Sequence, residues 1–169
     1  GTNSLYKAIP VIEKLAALAP KSHVVFGQSF FDVIQITESR SESGRTSLPG
    51  FWEANVNYRF SPHRSESEAL AHLKLVLNEA GVPDDCQTIL DVAPPGKVIE
   101  SALFSEVIGR LGHPIKPKQA WTDVAQLTQK GIPAFNFGPG LTAQAHKIDE
   151  YILEKDLIVY AEALHRALC

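Results

Sequence analysis

"FWEANVNYRFSPHRSESEALAHLKLVLNEAG", residues 51–81, sets two hydrophobic periods side by side. In residues 51–60, Trp52, Ala54, Val56, Tyr58 and Phe60 alternate with polar partners, the period of a strand with one buried face. Beyond Ser65 the period lengthens, and Leu70, Leu73, Val76 and Leu77 recur at helical spacing. Ser65 with Glu68 fits a capping box, and Gly81 fits the helix stop. A half-buried strand feeding an amphipathic helix predicts a sheet covered by helices.

The flanks extend that reading. Upstream, residues 4–18 place Leu5, Ile9, Ile12, Leu15 and Ala16 at helical spacing, with Pro10 inside the pattern as a kink or a first turn. "HVVF" (23–26) and "FDVIQIT" (31–37) accumulate β-branched and aromatic residues and predict strands. Residues 38–50, "ESRSESGRTSLPG", are polar and rich in breakers, which predicts a mobile hairpin loop. "CQTILDVA" (86–93) reads as a further strand. Residues 1–93 are therefore expected to form a two-layer α+β unit with an antiparallel sheet.

"PPGK" (94–97) is the best candidate boundary. Beyond it the pattern predicts a helix over about 98–111, a helix after Thr122 and a strand at "PAFNFG". A final helix has Leu157, Tyr160, Ala161, Leu164 and Leu168 on one face. This is an α/β pattern with few strands, which alone would leave a sheet edge and apolar surface uncovered. Residues 94–169 are expected to be the tail of a larger α/β domain.

Composition narrows the class. The 169 residues are 44% hydrophobic and 21% charged, a globular balance, and the formal charge of -3 argues against nucleic acid or an anionic membrane as partner. No apolar run reaches the roughly 20 residues of a membrane helix, and no signal segment opens the chain. Two cysteines, Cys86 and Cys169, give no disulfide framework, which leans towards a reducing, cytoplasmic setting. The chain lacks methionine and opens on Gly1, so a processed chain or a piece of a longer one is expected.

Three stretches offer chemistry. "FGPGLTAQAHKIDE" (137–150) either turns the chain between a strand and a helix or delivers His146 to a metal. Gly138 and Gly140 would let the backbone approach a ligand, and Asp149 or Glu150 could fix the imidazole through its second N–H. On spacing alone, a lone histidine favours the plain turn. In "WTDV", Thr122 or Asp123 reads first as an N-cap. Arg59 is either a solvated strand residue or a carboxylate clamp. The other histidines, His23, His63, His72, His113 and His165, show no paired ligand spacing. No nucleophile elbow, phosphate loop or dinucleotide fingerprint appears.

Taken together, "QAWTDVAQLTQKGIPAFNFGPGLTAQAHKIDE" resembles the C-terminal signature of a family of di-zinc amidohydrolases and peptidases. That family includes succinyl-diaminopimelate desuccinylase, acetylornithine deacetylase, aminoacylase and the glutamate carboxypeptidases. The version here is most similar to desuccinylases of actinobacterial type. "NVNYRFSPHRSESEALAHLKLVL" looks like the strand and helix of the family's inserted lid, or dimerisation, domain, and residues 1–18 look like its opening helix. The resemblance implies a lid over 1–93 and the C-terminal part of the catalytic domain over 94–169.

It also implies roles. His146 matches the family's last metal ligand, Arg59 its carboxylate-binding lid arginine, and Gly138 and Gly140 its pocket lining. Thr122, Asp123, Asp149 and Glu150 would support the loop. Two zinc ions, with cobalt an alternative, would activate water against an N-acyl amino acid, and the lid would pair two copies of the chain. The family's other metal ligands and its general base lie N-terminal to the lid, so this chain alone is not expected to bind two zincs tightly or to hydrolyse an amide. Where the family has an asparagine before its "V-I-P", this chain reads Gly44, Arg45, Thr46, Ser47, Leu48 and Pro49, so that substrate-binding group is missing.

Overall fold

The computed structural model describes residues 1–42, 44 and 46–169. The chain forms two compact units. The first takes in Gly1–Pro95 with Pro117–Trp121, and the second Gly96–Lys116 with Thr122–Cys169.

The first unit is a three-stranded antiparallel sheet, ordered β1 (Lys21–Val25), β2 (Gln28–Ser41), β3 (Trp52–Arg59), with two helices, α1 (Ser4–Ala16) and α2 (Glu66–Ala80). The turn between β1 and β2 is two residues long, and both Phe26 (φ 51) and Gly27 (φ 71) take positive φ. That is the turn whose twist matches paired strands. Val25 then pairs with Gln28 and Lys21 with Asp32. Between β2 and β3, Ile36 faces Val56 while Glu38 faces Asn55, so Thr37 is an extra residue in the ladder, a bulge. The alternation expected in β3 holds: Trp52, Ala54, Val56 and Tyr58 are half-buried and their neighbours exposed.

Helix α1 lies against β2, β3 and α2. Its packed side is set by Ala8 and Leu15, which are buried, while Leu5, Ile9 and Ile12 are 39% to 47% exposed. The expected face is thus only partly the packed one, because Ala8 and Leu15 lie seven residues apart on a neighbouring stripe. Pro10 does not mark the first turn, since α1 starts at Ser4 and continues past it to Ala16. Helix α2 starts as predicted: the Ser65 hydroxyl accepts from the Glu68 N–H at 3.3 Å, and the Glu68 carboxylate accepts from the Ser65 N–H at 2.8 Å. It ends at Gly81 with φ 98, in the left-handed region that favours glycine.

The second unit packs α3 (Ala102–Leu111) against α5 (Glu154–Leu168), with the short helix α4 (Val124–Gln129) between them in sequence. Its core is Leu111, Ala163 and Ala167, joined by Val107, Phe137 and Leu164. Phe137 is central, with ring contacts to Tyr160, His113 and Phe135. Buried Thr128 ties α4 to the preceding chain by accepting the Lys97 N–H at 3.0 Å.

Four expectations need correction. Residues 38–41 are not loop: β2 runs to Ser41 because β3 is long enough to pair with it. Residues 86–93 and 133–138 form no strand, since no segment among the described residues pairs with them, and Ile89 and Leu90 stay 51% and 79% exposed. A strand is defined by its partner as much as by its own residues. Helix α3 begins at Ala102 rather than near 98, because the Ser101 hydroxyl caps it by accepting the Phe104 N–H. In α5 the packed side carries Tyr160, Ala163, Leu164 and Ala167, whereas Leu157, Ala161 and Leu168 are exposed. Among the described residues, no helix is long and apolar enough to cross a membrane.

Candidate functional site

Strand residues that point away from the helices line a groove of about 370 Å³ on the first unit. Strand β2 supplies Phe31, Val33, Gln35 and Thr37, strand β3 supplies Asn57 and Arg59, and Pro20 and Gln119 complete the lining. Arg59 faces Val33 directly across the ladder. Its guanidinium has no ion-pair partner among the described residues. Gln119 is fixed by main chain: its oxygen accepts from the Phe31 N–H at 3.1 Å, and its amide donates to the Ser29 carbonyl at 3.0 Å. An open guanidinium in a groove with polar amides and apolar walls suits a small carboxylate ligand.

The second unit holds the loop of His146. His146 takes φ 65, uncommon for a residue with a side chain, and is exposed. Glu150 supports the turn by accepting the His146 backbone N–H at 3.0 Å, so it holds the main chain rather than the ring. Asp149 is exposed beside it. Gly140 has φ 83 and sits against Ile152, where an added Cβ would meet its Cγ1 at 3.4 Å. A side chain there would be strained. Gly138 has open space around it. Thr122 accepts from the Asn136 side-chain amide at 3.1 Å. Asp123 occupies the cap position of α4, yet its side chain makes no capping bond.

These residues do not make a metal centre by themselves. Among the described residues, no second imidazole, thiolate or carboxylate joins His146 in a converging group of three. One exposed imidazole falls short of the ligands a zinc site needs.

The sequence reading missed a different cluster, at the β1–β2 hairpin. Donor atoms of His23, Asp32 and His63 all lie within 4.8 Å of one another. Asp32 is 6% exposed. Its carboxylate accepts from the Tyr58 hydroxyl at 2.8 Å, the Ser61 N–H at 2.8 Å and the Arg64 Nε at 3.3 Å. Burial pushes the Asp32 acid up, but the Ser61 and Tyr58 hydrogen bonds outweigh it and hold the carboxyl below its usual range. Burial, then the bond to Asp32, drives the Tyr58 phenol the other way, well above its ordinary value. His23 and His63 stack with ring centroids 3.8 Å apart and planes 18° from parallel. Burial first, and the neighbouring His23 second, lower the His63 pKa. The Ser61 hydroxyl hydrogen-bonds the His63 Nδ1. Only one local signal pointed here: the Phe26–Gly27 turn sets the register that brings His23 close to Asp32.

Residues 92–169 match the family described as Peptidase family M20/M25/M40. A succinyl-diaminopimelate desuccinylase of Corynebacterium glutamicum is 32% identical over 155 residues, covering 89% of this chain and 41% of that protein. Over residues 92–169 the chain is similar to peptidase family M20/M25/M40. A Mycobacterium tuberculosis relative, given the same enzyme name provisionally, is 27% identical over 168 residues, 99% of this chain and 47% of its own length. The desuccinylase of Stutzerimonas stutzeri is 26% identical over 175 residues, 98% of this chain and 44% of that protein. The chain therefore spans less than half the length of these curated relatives. The part of it that matches the family description includes Thr122, Asp123, Gly138, Gly140, His146, Asp149 and Glu150.

Proposed function

We propose that this chain is the lid and the C-terminal catalytic segment of an amidohydrolase that removes the succinyl group from N-succinyl-diaminopimelate. The observation that carries the reading is the 32% identity with a protein of that name across 89% of the chain. The groove supports it. Succinyl-diaminopimelate is a polyanion, and Arg59 offers a two-pronged donor for one of its carboxylates. Asn57, Gln35 and Thr37 add neutral polar groups along the same wall, with Phe31 and Val33 as the apolar floor for methylene groups.

In this reading the first unit is the lid, through which two copies pair, and the second unit contributes His146 as one metal ligand among several. The two-metal chemistry needs donors beyond His146, so hydrolysis belongs to a site larger than this chain's own residues. Zinc is the ion the family resemblance favours, and the cytoplasm is the compartment where a diaminopimelate precursor would be met. The stretch Gly44, Arg45, Thr46, Ser47, Leu48 and Pro49, where the usual asparagine is absent, bears on acyl preference; Arg45 lies outside the described residues.

The test compares hydrolysis of N-succinyl-diaminopimelate by this chain with that of a chimera carrying the N-terminal part of the C. glutamicum relative. Activity is expected in the chimera with zinc, and is expected to vanish with His146→Ala. Equal turnover by the short chain, or a chimera indifferent to His146→Ala, would overturn the reading.

A further inference from the structure

We propose that His23, Asp32 and His63 form a second metal site, on the first unit, for one divalent transition ion of the zinc type. It stands on residues that the hydrolase reading does not use. Two imidazoles and one carboxylate are the donor set that borderline ions such as zinc, nickel or cobalt prefer, whereas magnesium and calcium favour oxygen alone.

The geometry is close to what such an ion requires. A tetrahedral zinc at about 2.0–2.1 Å from each ligand sets donor atoms roughly 3.4 Å apart. His23 Nε2 and Asp32 Oδ2 are already 3.6 Å apart. Moreover, His23 Nε2 is buried and has no hydrogen-bond partner, although buried polar atoms almost always find one. An ion in front of it would supply that partner. His63 is the adjustable ligand: it is exposed and follows the loop out of β3. The lone pair of an imidazole lies in the ring plane, so the near-parallel stack must open for both rings to aim at one ion. Rotating the exposed His63 ring, which gives up the Ser61 hydroxyl bond to its Nδ1, would open the stack.

The surroundings set what opposes and what supports the ion. The Ser61 N–H holds Asp32 Oδ1, and the Tyr58 hydroxyl donates to Oδ2, the oxygen that would share its second lone pair with the ion. Arg64 competes, because its Nε reaches Asp32 Oδ2, the oxygen that faces His23. Its side chain is 26% exposed and can swing to solvent. The bound ion would link β1, β2 and the loop that enters α2, fastening the edge strand of the sheet. A water would complete its coordination on the His63 side.

The experiment uses the metal-stripped chain and zinc alone, competed against a chromophoric chelator, with cobalt absorption reporting ligand geometry. One zinc per chain is expected, retained in His146→Ala and weakened at least about tenfold in His63→Ala and in His23→Gln. Arg64→Gln is expected to tighten binding, which loss of fold would not do. His63→Ala alters an exposed side chain, and circular dichroism verifies that the fold survives. Zinc affinity that follows His146 rather than His63 would overturn the proposal, as would affinity unchanged in both hairpin variants or magnesium binding as well as zinc.

Discussion

Among the described residues of the first unit, Asp32 is the most heavily bonded carboxylate, whereas Arg59 makes no ion pair. Replacing Asp32 by alanine strands the Tyr58 hydroxyl and the Ser61 N–H and leaves Arg64 without its acid. Losing buried partners of this kind costs about 2–3 kcal/mol. Urea unfolding of Asp32→Ala in the presence of a chelator is expected to show that loss, and a change below about 0.5 kcal/mol would contradict it. Arg59 behaves oppositely, because no ion pair among the described residues depends on its charge. In the active chimera, Arg59→Ala is expected to leave the urea midpoint alone and to raise KM about tenfold or more, the worth of a charge-assisted contact. Lysine should restore only part of it, since a point charge lacks the paired donors of guanidinium.

Elements were legible where their signals are local. Ser65, Glu68 and Gly81 declare both ends of α2 within the helix itself, and the structure repeats them bond for bond. Ser65→Ala is accordingly expected to cost about 1 kcal/mol by thermal or urea unfolding. The alternation of β3 was equally plain, because one face of the strand is covered along its whole length. Residues 86–93 and 133–138 misled for the opposite reason. Their apolar, β-branched content is that of strands, but pairing is a property of two segments, and none among the described residues lies beside them. Amide hydrogen exchange discriminates directly: 88–93 and 133–138 should exchange fast in the isolated chain, while Ile34 and Ile36, paired across to Tyr58 and Val56, stay protected. The hairpin cluster was illegible because His63 lies 40 positions beyond His23, and no spacing rule joins residues brought together by a turn, a register and a loop.

At the scale of the molecule, the two units carry different halves of the proposed chemistry. The first presents a cationic groove and a well-bonded hairpin, and the second a loop with one exposed imidazole. Neither holds a converging set of donors around His146 among the described residues, and the chain spans 41% to 47% of its named relatives. The family was legible from the "WTDV" to "AHKIDE" stretch; the site was legible only as single residues, since the partners that would give each a role are not neighbours in this fold. The most direct measurement is hydrolysis of N-succinyl-diaminopimelate, with zinc, by the short chain and by the chimera. The account predicts turnover in the chimera alone, abolished by His146→Ala and slowed through KM by Arg59→Ala. Comparable turnover by the short chain, or a chimera that works equally well without His146, would contradict it.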